Sequence, residues 1–183
     1  MRLGRGLAIG AGVTVLAGFG LGLAVGSSAD STQLPTARKL PADLCKRLGD
    51  VSAFFPIGSD ATLAQTGAAD IRCRASVDER SQKSYTGAQL GITVTSHAAK
   101  VGSTAAQVAR RAFDSRPWVV VEGRPYPTKI QRSENGEEQW AFKVITVRAD
   151  TVVEVEYTAH PIRRETTEAA LLILADRAVW EAK

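Results

Sequence analysis

Residues 128–159, which read TKIQRSENGEEQWAFKVITVRADTVVEVEYTA, decide the fold. The alternating runs on either side of Asn135-Gly136 predict a β-hairpin, because an Asn-Gly pair readily adopts the positive φ angles of a tight hairpin turn. The letters ADT then turn the chain into a third alternating run. Its apolar face carries Thr151, Val153, Val155 and Tyr157, and its polar face carries Glu154 and Glu156. The stretch therefore predicts a meander of three antiparallel strands.

Two further alternating runs precede the meander. In IRCRASVD every second residue from Ile71 to Val77 is apolar, which predicts a strand with one buried face. In QLGITVTS the apolar residues Leu90, Ile92 and Val94 alternate with small or polar ones. Together with the meander, these runs predict a sheet of about five strands.

Three segments show the apolar spacing of helices. The first, PADLCKRLGD, begins at Pro41 and ends before Gly49. The second, STAAQVARRAFDSRPW, has Ser103 as its predicted N-cap and stops at Pro117. The last, ETTEAALLILADRAVW, has a broad apolar face that can pack on the sheet. Because the order of elements requires no parallel crossovers, it predicts an α+β fold with helices packed on an antiparallel sheet.

The beginning of the chain indicates where the protein resides. Residues 7–26, LAIGAGVTVLAGFGLGLAVG, are uncharged and apolar, and they are about long enough to cross the roughly 30 Å of hydrocarbon in a bilayer. Arg2 and Arg5 precede this run, so the positive charge predicts that residues 1–6 stay in the cytoplasm. We therefore expect a single-pass transmembrane anchor in the cell membrane, with the rest of the chain extracytoplasmic.

Two further interpretations of this segment stay open. Ser27, Ser28 and Ala29 are small residues of the kind that signal peptidase reads, so cleavage near Ala29 would make the protein secreted. The apolar run exceeds the roughly 7–15 residues of an ordinary signal core, which favours the anchor. Glycines recur every four residues and would form a face for helix dimerisation, unless they only dilute the hydrophobicity of an export segment. These glycines are Gly18, Gly22 and Gly26.

The remaining sequence divides into a tether and one domain. Residues 27–40 are small and polar and contain Pro35, so they predict a flexible tether. The chain is 44% hydrophobic and 23% charged, which is the balance of a globular protein, and residues 41–183 predict one extracytoplasmic domain. The net charge is only +4 and the charges are interspersed. We therefore predict no nucleic-acid partner, because no basic stripe could follow a phosphate backbone.

The two cysteines, Cys45 and Cys73, fall on the apolar faces of the first helix and the first strand. Outside the cytoplasm disulfides persist, so the pair predicts a structural disulfide. A metal site would need further ligands at close spacing, and a nucleophilic cysteine would need a nearby histidine. Since the only histidines are His97 and His160, we predict neither a metal site nor a cofactor.

The sequence also lacks the usual signs of an active site. It contains no HExxH and no Gly-x-Ser-x-Gly. Ser96 and His97 are adjacent, but neighbours on a strand point to opposite faces, so they predict no catalytic dyad. The strand residues Arg72, Arg74, Glu154 and Glu156 could pair across the outer face of the sheet, as surface decoration rather than a site. We therefore predict no catalytic residue and no enzyme.

The candidate binding surface is the loop GRPYPTK. Pro125 and Pro127 stiffen this loop, which presents Tyr126 between two cations, Arg124 and Lys129. A rigid aromatic residue with flanking cations suits contact with a partner. The alternative is an ordinary proline-punctuated connection whose tyrosine folds back onto the core.

The order of elements resembles that of small extracytoplasmic domains of actinobacteria, which occur as envelope lipoproteins and as sensor domains of receptor kinases. The resemblance rests on an export segment, a helix with Leu44-Cys45, a strand with the second cysteine, a helix, a meander and an Ala-rich closing helix. It covers most of residues 41–183. The chain departs from the pattern in having no lipid-attachment cysteine after the apolar run. The resemblance implies an envelope protein and carries over no catalytic residue.

From these features we expect a binding or sensing module of the cell envelope that acts by contact. Its partner would be the membrane, through residues 7–26, together with another envelope protein or an anionic envelope component. Two alternatives stay open: a purely structural or assembly protein of the envelope, and a secreted hydrolase.

Overall fold

The computed structural model describes residues 35–55, 61–67, 70–77, 87–134, 140–159 and 164–183. These residues form three α-helices, a short 3-10 turn at Ser52–Phe54 and seven β-strands. The helices are α1 (Leu44–Arg47), α2 (Ala105–Asp114) and α3 (Arg164–Glu181). The strands are β1 (Ala64–Thr66), β2 (Asp70–Val77), β3 (Ala88–Ser96), β4 (Val119–Val120), β5 (Thr128–Glu134), β6 (Trp140–Arg148) and β7 (Thr151–Ala159). All described residues belong to one unit, Gln33–Lys183.

All seven strands join one sheet in the order β1-β2-β3-β7-β6-β5-β4. Every neighbouring pair is antiparallel, which confirms the predicted α+β class. After β3 the chain passes through α2 to the far edge of the sheet and returns along the meander. The last strand of the meander, β7, therefore lies beside β3, and Val155 is opposite Ile92 on one side and Val144 on the other.

The predicted number of about five strands is too low, because both edge strands were missed. Ala64–Thr66 and Val119–Val120 are only three and two residues long, and each of their residues is exposed. Without a buried face, these strands have no alternation to detect. Backbone pairing to β2 and β5 defines them instead.

One face of the sheet packs against α3 and α1 and contains the main core. The buried face of α3 includes Leu171, Ala175 and Ala178, each with 0% exposure. Small alanines let the helix approach the sheet closely, while Leu171 fills the space between the two layers. On the sheet side, Phe142 is also fully buried. The Ala-rich closing helix therefore packs on the sheet, as its broad apolar face predicts.

The opposite face of the sheet is covered in part by α2. Phe113 and Ala109 of this helix pack with Ile145, Val147 and Val152 in a second, smaller cluster. The central part of β6 consequently buries both of its faces, and its sequence there reads VITV instead of alternating. A continuous apolar run is typical of a strand that is covered on both sides.

The N-cap of α2 lies one residue later than predicted. Thr104, and not Ser103, caps the helix: its hydroxyl accepts a hydrogen bond from the Gln107 N–H at 3.2 Å. In return, the Gln107 side chain accepts a bond from the Thr104 N–H at 2.9 Å. This capping box satisfies two backbone donors at once, which explains why Thr104 outcompetes the serine before it.

The predicted disulfide is confirmed. Cys45 of α1 and Cys73 of β2 are bonded, with Cα atoms 5.4 Å apart, and both are buried. Gln65 strengthens the same junction, because its side chain accepts a bond from the Cys45 N–H at 3.3 Å and donates one to the Ala42 carbonyl at 2.7 Å. The single turn of α1 is thus attached to the sheet by one covalent link and two hydrogen bonds.

The segment predicted to be a tether contacts the domain near its end. Arg38 Nη1 donates to the Ala182 carbonyl at 2.6 Å, and Nη2 donates to the Thr151 hydroxyl at 2.8 Å. Leu40 is partly buried against the main core. The chain is therefore attached to the domain from Arg38 onward, three residues before Pro41.

Candidate functional site

The predicted contact loop connects β4 to β5 and is closed at its base. The Val121 N–H donates to the Thr128 carbonyl at 2.9 Å. The buried Thr128 hydroxyl donates in turn to the Tyr126 carbonyl at 2.9 Å and also contacts the Thr146 hydroxyl at 3.1 Å. Gly123 has a φ of 74°, a left-handed conformation that glycine adopts without strain. These bonds hold the loop in a defined shape.

Arg124 is directed toward α3 rather than outward. Its guanidinium forms an ion pair with Asp176, and the two side chains are only 23% and 17% exposed. Partial burial makes such a charge-assisted pair stronger than a pair at the open surface. Arg124 therefore attaches the loop to the helix.

Tyr126 is partly buried and packs against the main core. The guanidinium of Arg148 lies 5.2 Å from the centre of its ring, a distance suited to a cation–π contact. The tyrosine thus folds back onto the domain, which is the alternative that the sequence left open.

Lys129 caps the C-terminal end of α2. Its Nζ donates to the carbonyls of Phe113, Asp114 and Arg116 at 3.1, 3.3 and 2.9 Å. A cation at this end satisfies carbonyls that have no partner within the helix and also offsets the negative end of the helix dipole. Lys129 and Arg124 therefore act on opposite faces of the sheet, and the structure does not bring the three predicted side chains together as one exposed patch.

The loop and the end of α2 nevertheless enclose a surface cleft of about 510 Å³. Arg124, Tyr126 and Lys129 are all among its lining residues, together with the exposed side chains of Val120 and Glu122. The three predicted residues thus contribute to the walls of the cleft, while other residues form its accessible rim.

Sequence reasoning missed these rim residues. Val120 is 56% exposed, although valine in a strand usually faces a core. The run VVVEG after Pro117 was the available signal, because three consecutive valines before a glycine turn suit a short edge strand with an apolar side.

Ser96 and His97 do not form a dyad in the described part of the chain. The Ser96 hydroxyl donates to the Asp150 carboxylate at 3.4 Å, and the His97 backbone N–H donates to the Asp150 carbonyl at 2.8 Å. Burial lowers the pKa of the His97 side chain, an effect that the carboxylates of Asp70 and Asp150 partly oppose. The lowered pKa disfavours the protonated form of this histidine.

The outer-face charges that could pair across the sheet have other partners. Glu154 binds Arg116 at 2.6 Å, and Glu156 binds Lys143 at 2.9 Å. Arg72 and Arg74 form no ion pair with either glutamate among the described residues, because β3 separates the two strands. Within the same residues, no group of three or more histidines, cysteines and carboxylates could hold a metal ion.

The predicted anchor at residues 7–26, including Gly18, Gly22 and Gly26, lies outside the described residues, as does His160. No helix within the described ranges has the length and apolar character needed to cross a membrane.

A comparison with family models, curated proteins and solved structures finds no match for the chain.

Proposed function

We propose that this chain is a membrane-anchored extracytoplasmic module of the cell envelope, which acts by contact with another envelope protein. The contact surface in this proposal is the cleft between α2 and the loop from Val121 to Pro127. Residues 7–26 serve as the anchor, and the domain performs no catalysis.

Three features support the extracytoplasmic position. The uncharged run of residues 7–26 follows Arg2 and Arg5, which is the arrangement of a segment with a cytoplasmic N-terminus. The bond between Cys45 and Cys73 suits an oxidising compartment. The resemblance of the sequence to small actinobacterial envelope domains favours the same position.

The fixed shape of the cleft is the observation that carries the contact function. Its walls are held by the Arg124 ion pair and by the three bonds from Lys129. A surface that is already ordered loses little conformational entropy on binding, which favours affinity.

The rim of the cleft favours a protein over a polyanion as the partner. Val120 exposes apolar surface, and charges of both signs are present, with Arg110 and Glu122 at the surface. A polyanion would select a uniformly basic cleft, whereas an apolar edge with mixed charges is typical of a protein interface.

Replacing Val120 with aspartate is expected to reduce partner capture strongly while the domain stays folded. An exposed substitution usually changes the free energy of unfolding by no more than about 0.5 kcal/mol, but a charge in an apolar contact must be desolvated on binding. The measurement is chemical crosslinking in intact cells, followed by purification of the chain and identification of the attached protein. Thermal melting of the purified variant confirms folding.

The matched control is Val101→Asp, because Val101 is 88% exposed and lies before the other end of α2. We expect this variant to retain the crosslinked protein that Val120→Asp loses. If both variants keep the same adducts as the wild type, the cleft is not the contact surface, and a structural or assembly role becomes the better account. Removing Arg124, Tyr126 and Lys129 together would be a poor test, because each of them also stabilises the fold.

A further inference from the structure

We propose that a second cleft, at the turn between β6 and β7, binds a phosphate-type oxyanion. It has a volume of about 290 Å³, and its lining includes Arg38, Arg148, Asp150 and Lys183. Three basic side chains thus meet one carboxylate. This cleft is separate from the loop cleft, and the proposal does not depend on the contact function.

The carboxylate of Asp150 already forms an ion pair with one of the three cations, Arg38. Asp150 lies 3.5 Å from Arg38 Nη2, and its pKa stays below the ordinary value because the bonds from Arg38 and Thr151 outweigh the effect of burial. Both terminal nitrogens of Arg38 are also bonded to Ala182 and Thr151. Arg38 therefore fixes the wall of the cleft and neutralises Asp150, and neither of the other two cations has an ion-pair partner among the described residues.

Arg148 is held between two aromatic rings. Its guanidinium carbon lies 5.2 Å from the ring centres of both Tyr126 and Trp180. Its Nη1 is buried and has no hydrogen-bond partner among the described residues, and no ion pair of those residues includes it. A charged guanidinium without an acceptor is unfavourable, and because Arg148 lines the cleft, a small rotation of its side chain would let a bound anion accept its hydrogen bonds.

Lys183 adds a second positive charge to the lining of the cleft. Its Nζ lies 3.2 Å from the centre of the Trp180 ring. Desolvation, followed by the repulsion of nearby Arg148, lowers the pKa of Lys183. An anion between the two cations would relieve that repulsion, as arginine and lysine do when they converge on a phosphate.

Binding is tested on the full-length chain in a neutral detergent, by isothermal titration and by the change in tryptophan fluorescence, to which Trp180 contributes. One arm titrates inorganic phosphate, and the other titrates micelles that carry phosphatidylglycerol, with phosphatidylcholine as the neutral comparison. Saturation by phosphate indicates a soluble anion, whereas saturation by phosphatidylglycerol alone indicates a lipid headgroup. We expect saturable binding in at least one arm.

Lys183→Gln and Arg148→Met are each expected to weaken this binding about tenfold, the usual effect of losing one charge-assisted hydrogen bond. Arg72→Gln is the control, because it removes an exposed positive charge from the other face of the sheet. Lys183 is exposed, so its variant stays folded even if Arg148→Met does not. The proposal is overturned if neither ligand saturates the wild type, or if Arg72→Gln weakens binding as much as Lys183→Gln.

Discussion

Replacing Cys73 with serine is expected to lower the free energy of unfolding by about 3.5 kcal/mol, because the bond closes a loop across a sequence separation of 28 residues. The loss is large because α1 is a single turn, too short to form without being fixed to the sheet. Urea unfolding of wild type, Cys45→Ser and Cys73→Ser measures the effect. The two single variants should be destabilised alike.

The control for this prediction is the wild type under reducing conditions, which should approach the stability of the variants. Thiol counting on denatured, unreduced protein purified from the cell envelope gives an independent check. Finding two free thiols there would contradict the structural disulfide and reopen the interpretation of Cys45 and Cys73 as reactive cysteines.

Leu171→Ala is expected to lower the free energy of unfolding by about 2–5 kcal/mol, the range for truncating a fully buried leucine. Leu171 has 0% exposure on the face of α3 that packs on the sheet, so its truncation removes apolar contacts and leaves a cavity. The measurement is the midpoint of denaturant unfolding. The dependence of the unfolding free energy on denaturant concentration should stay the same as in the wild type, so that a shifted midpoint reports a change in stability.

Ile173→Ala is the matched control on the same helix. Ile173 is 62% exposed, so its truncation should change the free energy of unfolding by no more than about 0.5 kcal/mol. Equal losses at the two positions would show that α3 does not pack on the sheet through the face described here.

The strands could be predicted from the sequence wherever one face is buried, because burial makes apolar and polar residues alternate. The alternation from Ile71 to Val77 gives β2, and the meander follows from the alternating runs on either side of Asn135-Gly136, a pair that itself lies outside the described residues. The edge strands Ala64–Thr66 and Val119–Val120 could not be found in this way. Their residues are exposed and their pairing depends on backbone hydrogen bonds, which leave no pattern in the side chains.

The position of the candidate site was predictable, but the direction of its side chains was not. Pro125, Pro127 and Gly123 identify the loop from the local sequence. Arg124, by contrast, pairs with Asp176, which lies 52 residues away along the chain. Lys129 binds backbone carbonyls. Every residue has a carbonyl, so the sequence does not indicate which carbonyls a lysine will bind. Contacts of these two kinds arise only from the tertiary fold, so the sequence identified the walls of the cleft and missed Val120 and Glu122 at its rim.

Cell fractionation combined with N-terminal sequencing tests the central claim, a domain held outside the membrane by residues 7–26. We predict that the chain stays in the membrane fraction with its original N-terminus, and that protease added to intact, wall-stripped cells digests the domain. Soluble protein that begins near Asp30 would show instead that the segment is a cleaved signal. A domain that added protease cannot reach in intact cells would contradict the extracytoplasmic position itself.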